Sequence, residues 1–304
     1  MIKTAEGLMN VPGGRIWYRI GGTGDGTPLI ILHGGPGLGH DYLTVLEVLG
    51  NERPVVFFDQ LGSGRSDVPE DESLWRLDRF VSEVESLRLA LDLPRFHLLG
   101  HSFGGWLALE YTLARPEMID SLVLSSTSAS VREYIQGLAL LRSARPRNEV
   151  VMLDKHAARG EYDAPAYNEA LMGFFTTHIC RLDPWPDELM RSFTSYCRSP
   201  APEYMLGPDY FSPDGNLVDW DRESDLFQIE SATLVMCGRH DSIVPSCSET
   251  LARGIPNADL RVFENASHMA HLEASDAYIR TLRSFLSRSD GTLRGAEGDG
   301  LKGV

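Results

Sequence analysis

The sequence predicts an α/β fold, a mostly parallel sheet with helices on both faces and a helical segment inserted before its last two strands. Two patterns and one interruption carry that reading. Short apolar runs recur along the chain, and stretches with helical periodicity lie between them. The alternation stops between Ser126 and about Asp225, then resumes at Thr233.

The elements follow in order. Gly14 to Gly21 sets Ile16, Tyr18 and Ile20 against Arg15, Trp17 and Arg19, the alternation of a half-exposed strand. Residues 29–32, 55–58, 96–99, 122–124, 233–237 and 260–263 are nearly continuous apolar runs, as in parallel strands covered on both faces. Residues 76–93 place Leu77, Phe80, Val81, Val84, Leu87 and Leu91 on one helical stripe. Strands alternating with helices imply right-handed crossovers within one sheet. Helical stretches at 131–159, 164–181 and 186–198 fill the interruption, which is rich in aromatic residues. Such a segment reads as a cap over the C-terminal edge of the sheet, where ligands bind in these folds. The chain then divides into a first core part, 1–126, a helical cap, 127–225, a second core part, 226–288, and a Gly-rich tail, 289–304, expected to be disordered.

A chain of 304 residues accommodates one large α/β domain carrying an insertion. No apolar run approaches the ~20 residues of a membrane-spanning helix, and residues 1–20 lack the apolar core of a signal peptide. A cytoplasmic location and no membrane partner are therefore expected. The formal charge of −15, with no basic stripe, speaks against a nucleic-acid partner. Cys180, Cys197, Cys237 and Cys247 show neither metal nor redox spacing and read as reduced thiols. No metal or cofactor is expected, and nothing in the sequence speaks to oligomeric state.

The most specific signal is Gly100-His101-Ser102-Phe103-Gly104-Gly105, which follows the run at 96–99 and opens a helical pattern. Strand, Gly-x-Ser-x-Gly and helix in that order make a nucleophile elbow, with Ser102 lifted above the sheet at a helix N-terminus. A serine hydroxyl needs a base, and the base needs an orienting acid. The topology expects these after later strands, in the order Ser, Asp, His. Asp241 follows the run at 233–237, and His268 follows the run at 260–263. The rivals fit less well. His271 suits packing at the start of the last helix, and His240 lies in the acid's loop. His101 points away from the nucleophile side, and Asp225 would require the acid to come from an earlier loop. An oxyanion hole needs two N–H donors. Phe103 supplies one, and the loop His33-Gly34-Gly35-Pro36-Gly37 the other, with Gly35 favoured over Gly34. The turn Asp59-Gln60-Leu61-Gly62-Ser63-Gly64-Arg65-Ser66 lacks the Gly-Lys-Ser/Thr ending of a phosphate loop and reads as a brace for the site wall.

With these residues assembled, the chain resembles an α/β-hydrolase, and specifically the proline iminopeptidase family of serine aminopeptidases, which includes the tricorn-interacting aminopeptidase. The choice rests on the 33–37 loop joined to the 59–66 turn, and on Gly207-Pro208-Asp209-Tyr210-Phe211 and Asp219-Trp220-Asp221 late in the cap. The resemblance implies a mostly parallel, eight-stranded sheet with flanking helices and an inserted helical cap. It also implies cleavage of an N-terminal residue from a peptide or aminoacylated small molecule, without a cofactor. One role of such family members is trimming an aminoacyl group in macrolactam polyketide pathways. The family binds the substrate ammonium with carboxylates, commonly glutamates. Here Tyr210 and Ser242 stand where glutamates are common, which leaves Asp209 and Glu203 as substitutes and Trp185 as a pocket aromatic. An esterase or a carbon–carbon bond hydrolase acting on a neutral substrate is the alternative, and a non-catalytic binding protein the remaining one.

Overall fold

The computed structural model describes residues 5–299, and within them eight strands form one sheet. β1 (Ala5–Val11) and β2 (Gly14–Gly21) pair as an antiparallel hairpin at one edge. β3 (Leu29–Leu32) and β4 (Val55–Asp59) follow, with β4 antiparallel to β2 and parallel to β3. Next come α1 (Leu77–Ala90), β5 (Phe96–His101), α2 (Phe103–Ala114) and β6 (Ile119–Ser125). After the inserted helices the sheet closes with β7 (Ala232–Gly238) and β8 (Ala258–Phe263), both parallel. The strand order is β1-β2-β4-β3-β5-β6-β7-β8. The order therefore reverses between β3 and β5, and the crevice beyond their C-terminal ends is the switch point where ligands bind in open α/β sheets.

Alternation along the central strands sorts side chains into two cores. Ile30, Leu32, Val56, Phe58, Leu98 and Leu122 face α1 and α2, while Leu29, Ile31, Val55, Phe57, Leu99 and Val123 face the other way. Burial on both faces is why these runs are almost wholly apolar, with the buried His97 of β5 an exception.

The inserted helices are α3 (Val131–Ser143), α4 (Arg147–Ala157), α5 (Pro165–His178), α6 (Asp187–Tyr196) and α7 (Ala201–Met205). The expected single helix at 131–159 is two, because Pro146 lies between them as the N-cap of α4. The two ends of the segment meet in a bridge between Ser130 and Asp221, and the Val131 N–H donates to the Trp220 carbonyl at 3.0 Å. Glu110 on α2 accepts from Trp220 Nε1 at 2.7 Å and from Arg222 Nε at 2.7 Å, tying that base to the helix after the elbow.

Three sequence expectations differ from the structure. β1 was absent from the predicted strands, because Leu8, its largest aliphatic residue, faces solvent while Ala5, Met9 and Val11 pack inward. The run at 260–263 belongs to an edge strand rather than a covered one, with Leu260 and Arg261 exposed. The tail boundary at 289 also moves. α8 (Pro245–Gly254) and the short α9 (Ala270–Glu273) precede α10 (Ser275–Asp299), which carries the helix through the start of the segment expected to be disordered. Residues 300–304 of that expectation lie outside the described residues.

Ser289 is buried, and Asp290 accepts from Arg53 Nη2 at 2.9 Å and from His97 Nε2 at 3.0 Å. Burial alone would raise the Asp290 pKa, but His97 and Arg53 hold it down to about 2. The Arg53 side chain is only 2% exposed, so removing its partner strands a guanidinium. Asp290→Ala should lower unfolding stability by about 2–4 kcal/mol in urea denaturation. A loss below about 0.5 kcal/mol would mean that this clasp carries no weight.

Candidate active site

Ser102 adopts φ +56° and ψ −124°, a conformation L-residues rarely hold. The crowding of β5 against α2 imposes it. A Cβ on Gly100 would overlap the Gly104 carbonyl and approach Gly105 Cα to 2.6 Å. The Ser102 N–H is fixed to the Ser125 carbonyl of β6 at 2.9 Å. Phe103 is the first residue of α2, so its N–H is one of the helix donors without an internal partner.

The loop after β3 lies against this turn, close enough that a Cβ on Gly34 would sit 2.8 Å from Ser102 Cβ. Its backbone is held residue by residue. The Gly34 N–H donates to Tyr42 Oη at 2.8 Å, so it is already used. The Gly34 carbonyl accepts from His33 Nδ1 at 2.9 Å. A peptide unit is planar and trans, so fixing that carbonyl turns the Gly35 N–H to the opposite side. His33 is held in turn. Its Nε2 accepts the Gln60 N–H at 3.0 Å, and Gln60 Nε2 donates to the His33 carbonyl at 2.8 Å. Asp59 secures the same turn through His40 Nδ1 at 2.8 Å and the Arg65 N–H at 2.9 Å. Burial works against its charge, yet the His40 and Arg65 bonds keep its pKa below the ordinary range. The 59–66 turn thus braces the loop that carries Gly35.

Asp241 and His268 are brought together from the loops after β7 and β8. His268 Nδ1 donates to Asp241 Oδ1 at 2.7 Å, and both side chains are buried. The same oxygen accepts the Ile243 N–H at 2.8 Å. This arrangement leaves the Nε2 lone pair of His268 available. Ser102 Oγ and His268 Nε2 form no hydrogen bond among the described residues, although the His101 ring, next to Ser102, lies 4.9 Å from the His268 ring. Such contacts commonly tighten only when substrate binds. The loops share one anchor, the end of α5. The His178 carbonyl accepts the N–H groups of Ser242 at 3.0 Å and His268 at 3.2 Å, and Ile179 O accepts from Met269 N at 2.9 Å.

The rival groups are occupied elsewhere. His271 is buried against the Tyr42 carbonyl at 3.2 Å, and burial pushes its pKa down to about 3, too low for a base at neutral pH. His240 is exposed, and Asp225 pairs with Arg222 at 3.4 Å. The thiols are no better placed. Burial raises Cys180 to about 11 and Cys237 to about 12.

Asp209 accepts from Tyr167 Oη at 3.0 Å and from the Phe211 N–H at 2.9 Å, holding the turn around Tyr210. Glu203 is exposed on α7, and Trp185 Nε1 donates to the Cys180 carbonyl at 2.9 Å. Tyr210 packs on Phe175 at 4.9 Å and turns its hydroxyl to Ser242 and Tyr134. Burial raises the Tyr210 phenol well above its usual range, so the hydroxyl keeps its proton. The two positions that depart from glutamate therefore meet in space beside Asp241. Sequence reasoning did not find Tyr42, Tyr134 or His178, whose aromatic rings read equally well as core.

Compared with known proteins, the chain matches the α/β hydrolase fold family over residues 27–151. It is 35% identical over 283 residues to a proline iminopeptidase of Heyndrickxia coagulans, covering 93% of this chain and 98% of that one. A proline iminopeptidase of Saccharolobus solfataricus is 33% identical over 290 residues, covering 94% of each. Among solved structures, the proline iminopeptidase of Mycobacterium smegmatis superposes with a TM-score of 0.88 at 30% identity, covering 95% and 100% of the two chains. VinJ superposes at 0.89 and 33% identity, covering 93% and 98%.

The imidazoles behind the site set a pH dependence. Burial holds His33 at about 4, His271 at about 3 and His101 well below its usual range. A histidine with a depressed folded pKa binds protons more readily when unfolded, so stability falls as pH drops below the unfolded value near 6.5. Between pH 7 and pH 5 His33 and His271 should each cost about 1–2 kcal/mol, and His101 acts in the same direction. Urea midpoints measured across that range should drop steeply, and a flat profile would contradict the neutral assignments.

Proposed function

The chain belongs to the proline iminopeptidase family of α/β hydrolases, and from that premise we propose that it is a serine hydrolase releasing the N-terminal residue of a short peptide or aminoacylated small molecule. The observation that carries the mechanism is the buried Asp241–His268 bond of 2.7 Å on the loops facing the strained Ser102 turn.

In this reading His268 Nε2 takes the Ser102 hydroxyl proton as Oγ attacks the scissile carbonyl carbon. The charge that develops on the carbonyl oxygen is met by the Gly35 and Phe103 N–H groups. Collapse of the tetrahedral species breaks the amide bond, and His268 passes its proton to the departing amine. Water, deprotonated by His268, then hydrolyses the acyl-enzyme and restores Ser102. Asp241 holds the imidazole in the Nδ1–H tautomer and stabilises the transient imidazolium. Gly34 is unavailable as a donor because Tyr42 Oη already accepts its N–H.

A second reading has one observation in its favour. Tyr210, Tyr134 and Ser242 bring hydroxyl groups close to Asp241. Such a lining also suits the neutral acyl group of an ester or of a carbon–carbon bond hydrolase substrate, since an unpaired buried ammonium costs several kcal/mol.

Ser102→Ala should reduce turnover by about a thousandfold or more with an unchanged unfolding midpoint. Retained activity would remove Ser102 as nucleophile. Aminoacyl arylamides compared with their N-acetylated forms and with simple aryl esters separate the two substrate readings. The peptidase reading expects free amines to be hydrolysed best, and equal or faster hydrolysis of blocked amides or simple esters would favour the neutral alternative.

A further inference from the structure

Behind the elbow runs a chain of hydrogen bonds whose direction is fixed at both ends. The Gly34 N–H can only donate, and it does so to Tyr42 Oη at 2.8 Å. The His268 carbonyl can only accept, and it takes a bond from His101 Nε2 at 3.0 Å. Between these ends Tyr42 Oη and His101 Nδ1 are 2.8 Å apart. The imidazole proton therefore sits on Nε2, and Nδ1 receives the single proton of the tyrosine hydroxyl. No other placement of protons satisfies all four groups.

We propose that Tyr42 and His101 are positioning residues that lock the loop bearing the oxyanion donor to the backbone of His268. The two halves of the site, charge stabilisation and proton transfer, then keep one spacing. The inference rests on the roles given above to Ser102, His268 and Gly35.

The surroundings support a device for registration rather than filling. Both side chains are fully buried, and a phenylalanine would occupy the volume of Tyr42 equally well. Tyr42 is nevertheless held at its ring, its carbonyl and its N–H. The His271 ring packs at 5.4 Å, His271 Nε2 meets the Tyr42 carbonyl at 3.2 Å, and the Tyr42 N–H donates to Ser192 Oγ at 3.2 Å. At the other end, Ser126 Oγ gives the His268 carbonyl a second bond at 3.1 Å. His271 lies three residues after His268, so its bond to the Tyr42 carbonyl is a second tie between the two segments, and the phenol–imidazole pair is the tie that reaches the Gly34 N–H and the His268 carbonyl themselves.

The test compares wild type, Tyr42→Phe, His101→Asn and the double variant on an aminoacyl arylamide and an aryl ester, with binding of an aryl boronic acid that becomes tetrahedral on serine. Tyr42→Phe should lower kcat roughly ten- to a hundredfold with KM changed by less than about twofold, and weaken the boronic acid by a similar factor. The double variant should lose no more than about the worse single variant, because either change breaks the same chain. A Tyr42→Phe kcat within about twofold of wild type, or losses that multiply in the double variant, would overturn the proposal. Nitrogen NMR of wild-type imidazoles tests it without any variant. The His101 proton is expected on Nε2, and a proton on Nδ1 overturns the relay. This readout stands even if Ser102→Ala retains turnover, so failure of the nucleophile assignment and failure of the relay are told apart.

Discussion

The structure around the candidate site depends on how closely β5 and α2 approach each other. A turn this tight forces Ser102 to φ +56° and brings the Gly34 backbone against it. Such strain of order 1–3 kcal/mol persists only where the surroundings over-determine it. Here they do. β6 supplies the Ser125 carbonyl to the Ser102 N–H, and the loop after β3 is braced from the turn after β4. Because β3 and β5 are neighbours at the point where strand order reverses, both loops open into the same crevice.

The inserted helices take part in this frame. Carbonyls in the last turn of a helix have no partner within it. At the end of α5 those of His178 and Ile179 accept N–H groups from the loops of Asp241 and His268, and His178 Nδ1 donates to the His240 carbonyl at 2.8 Å. α6 makes comparable ties, with Ser195 Oγ donating to the Gly37 carbonyl at 2.8 Å and accepting the Gly64 N–H at 2.6 Å. Lifting either helix would break bonds that hold the proposed catalytic loops. α5 and α6 are therefore tied directly to the loops around the candidate site.

Legibility in the sequence followed locality. The central strands were readable because burial on both faces leaves their runs almost wholly apolar. The elbow was readable because its spacing is itself the geometry. Asp241 and His268 were readable from topology, since each follows a strand in the expected order. What stayed hidden depends on partners remote in sequence. Tyr42 reaches His101 across 59 positions, and His101 reaches His268 across 167. A tyrosine between Asp41 and Leu43 carries no local sign of that role. β1 was hidden for another reason, since its pairing with β2 comes from the backbone ladder and its alternating burial is not matched by alternating polarity, with Leu8 exposed and Gly7 half-buried.

Tyr210 and Ser242 give the site its individual character. Carboxylates at these positions would stand close to Asp241, and like charges at short range disfavour one another's ionisation. Hydroxyl groups avoid that conflict but offer an ammonium only dipoles. The formal charge felt by both Tyr134 and Tyr210 is that of Asp241. One oxygen of Asp241 is already shared by His268 and the Ile243 N–H, while Oδ2 is buried without a partner among the described residues. An ammonium drawn toward that carboxylate would compete with the imidazolium that Asp241 stabilises in the proposed acylation. Any gain in substrate binding would thus be offset in the transition state, where binding energy matters for rate. On these grounds the hydroxyl groups of Tyr210 and Ser242 leave Asp241 to His268, and recognition of a free amine falls to groups other than that carboxylate.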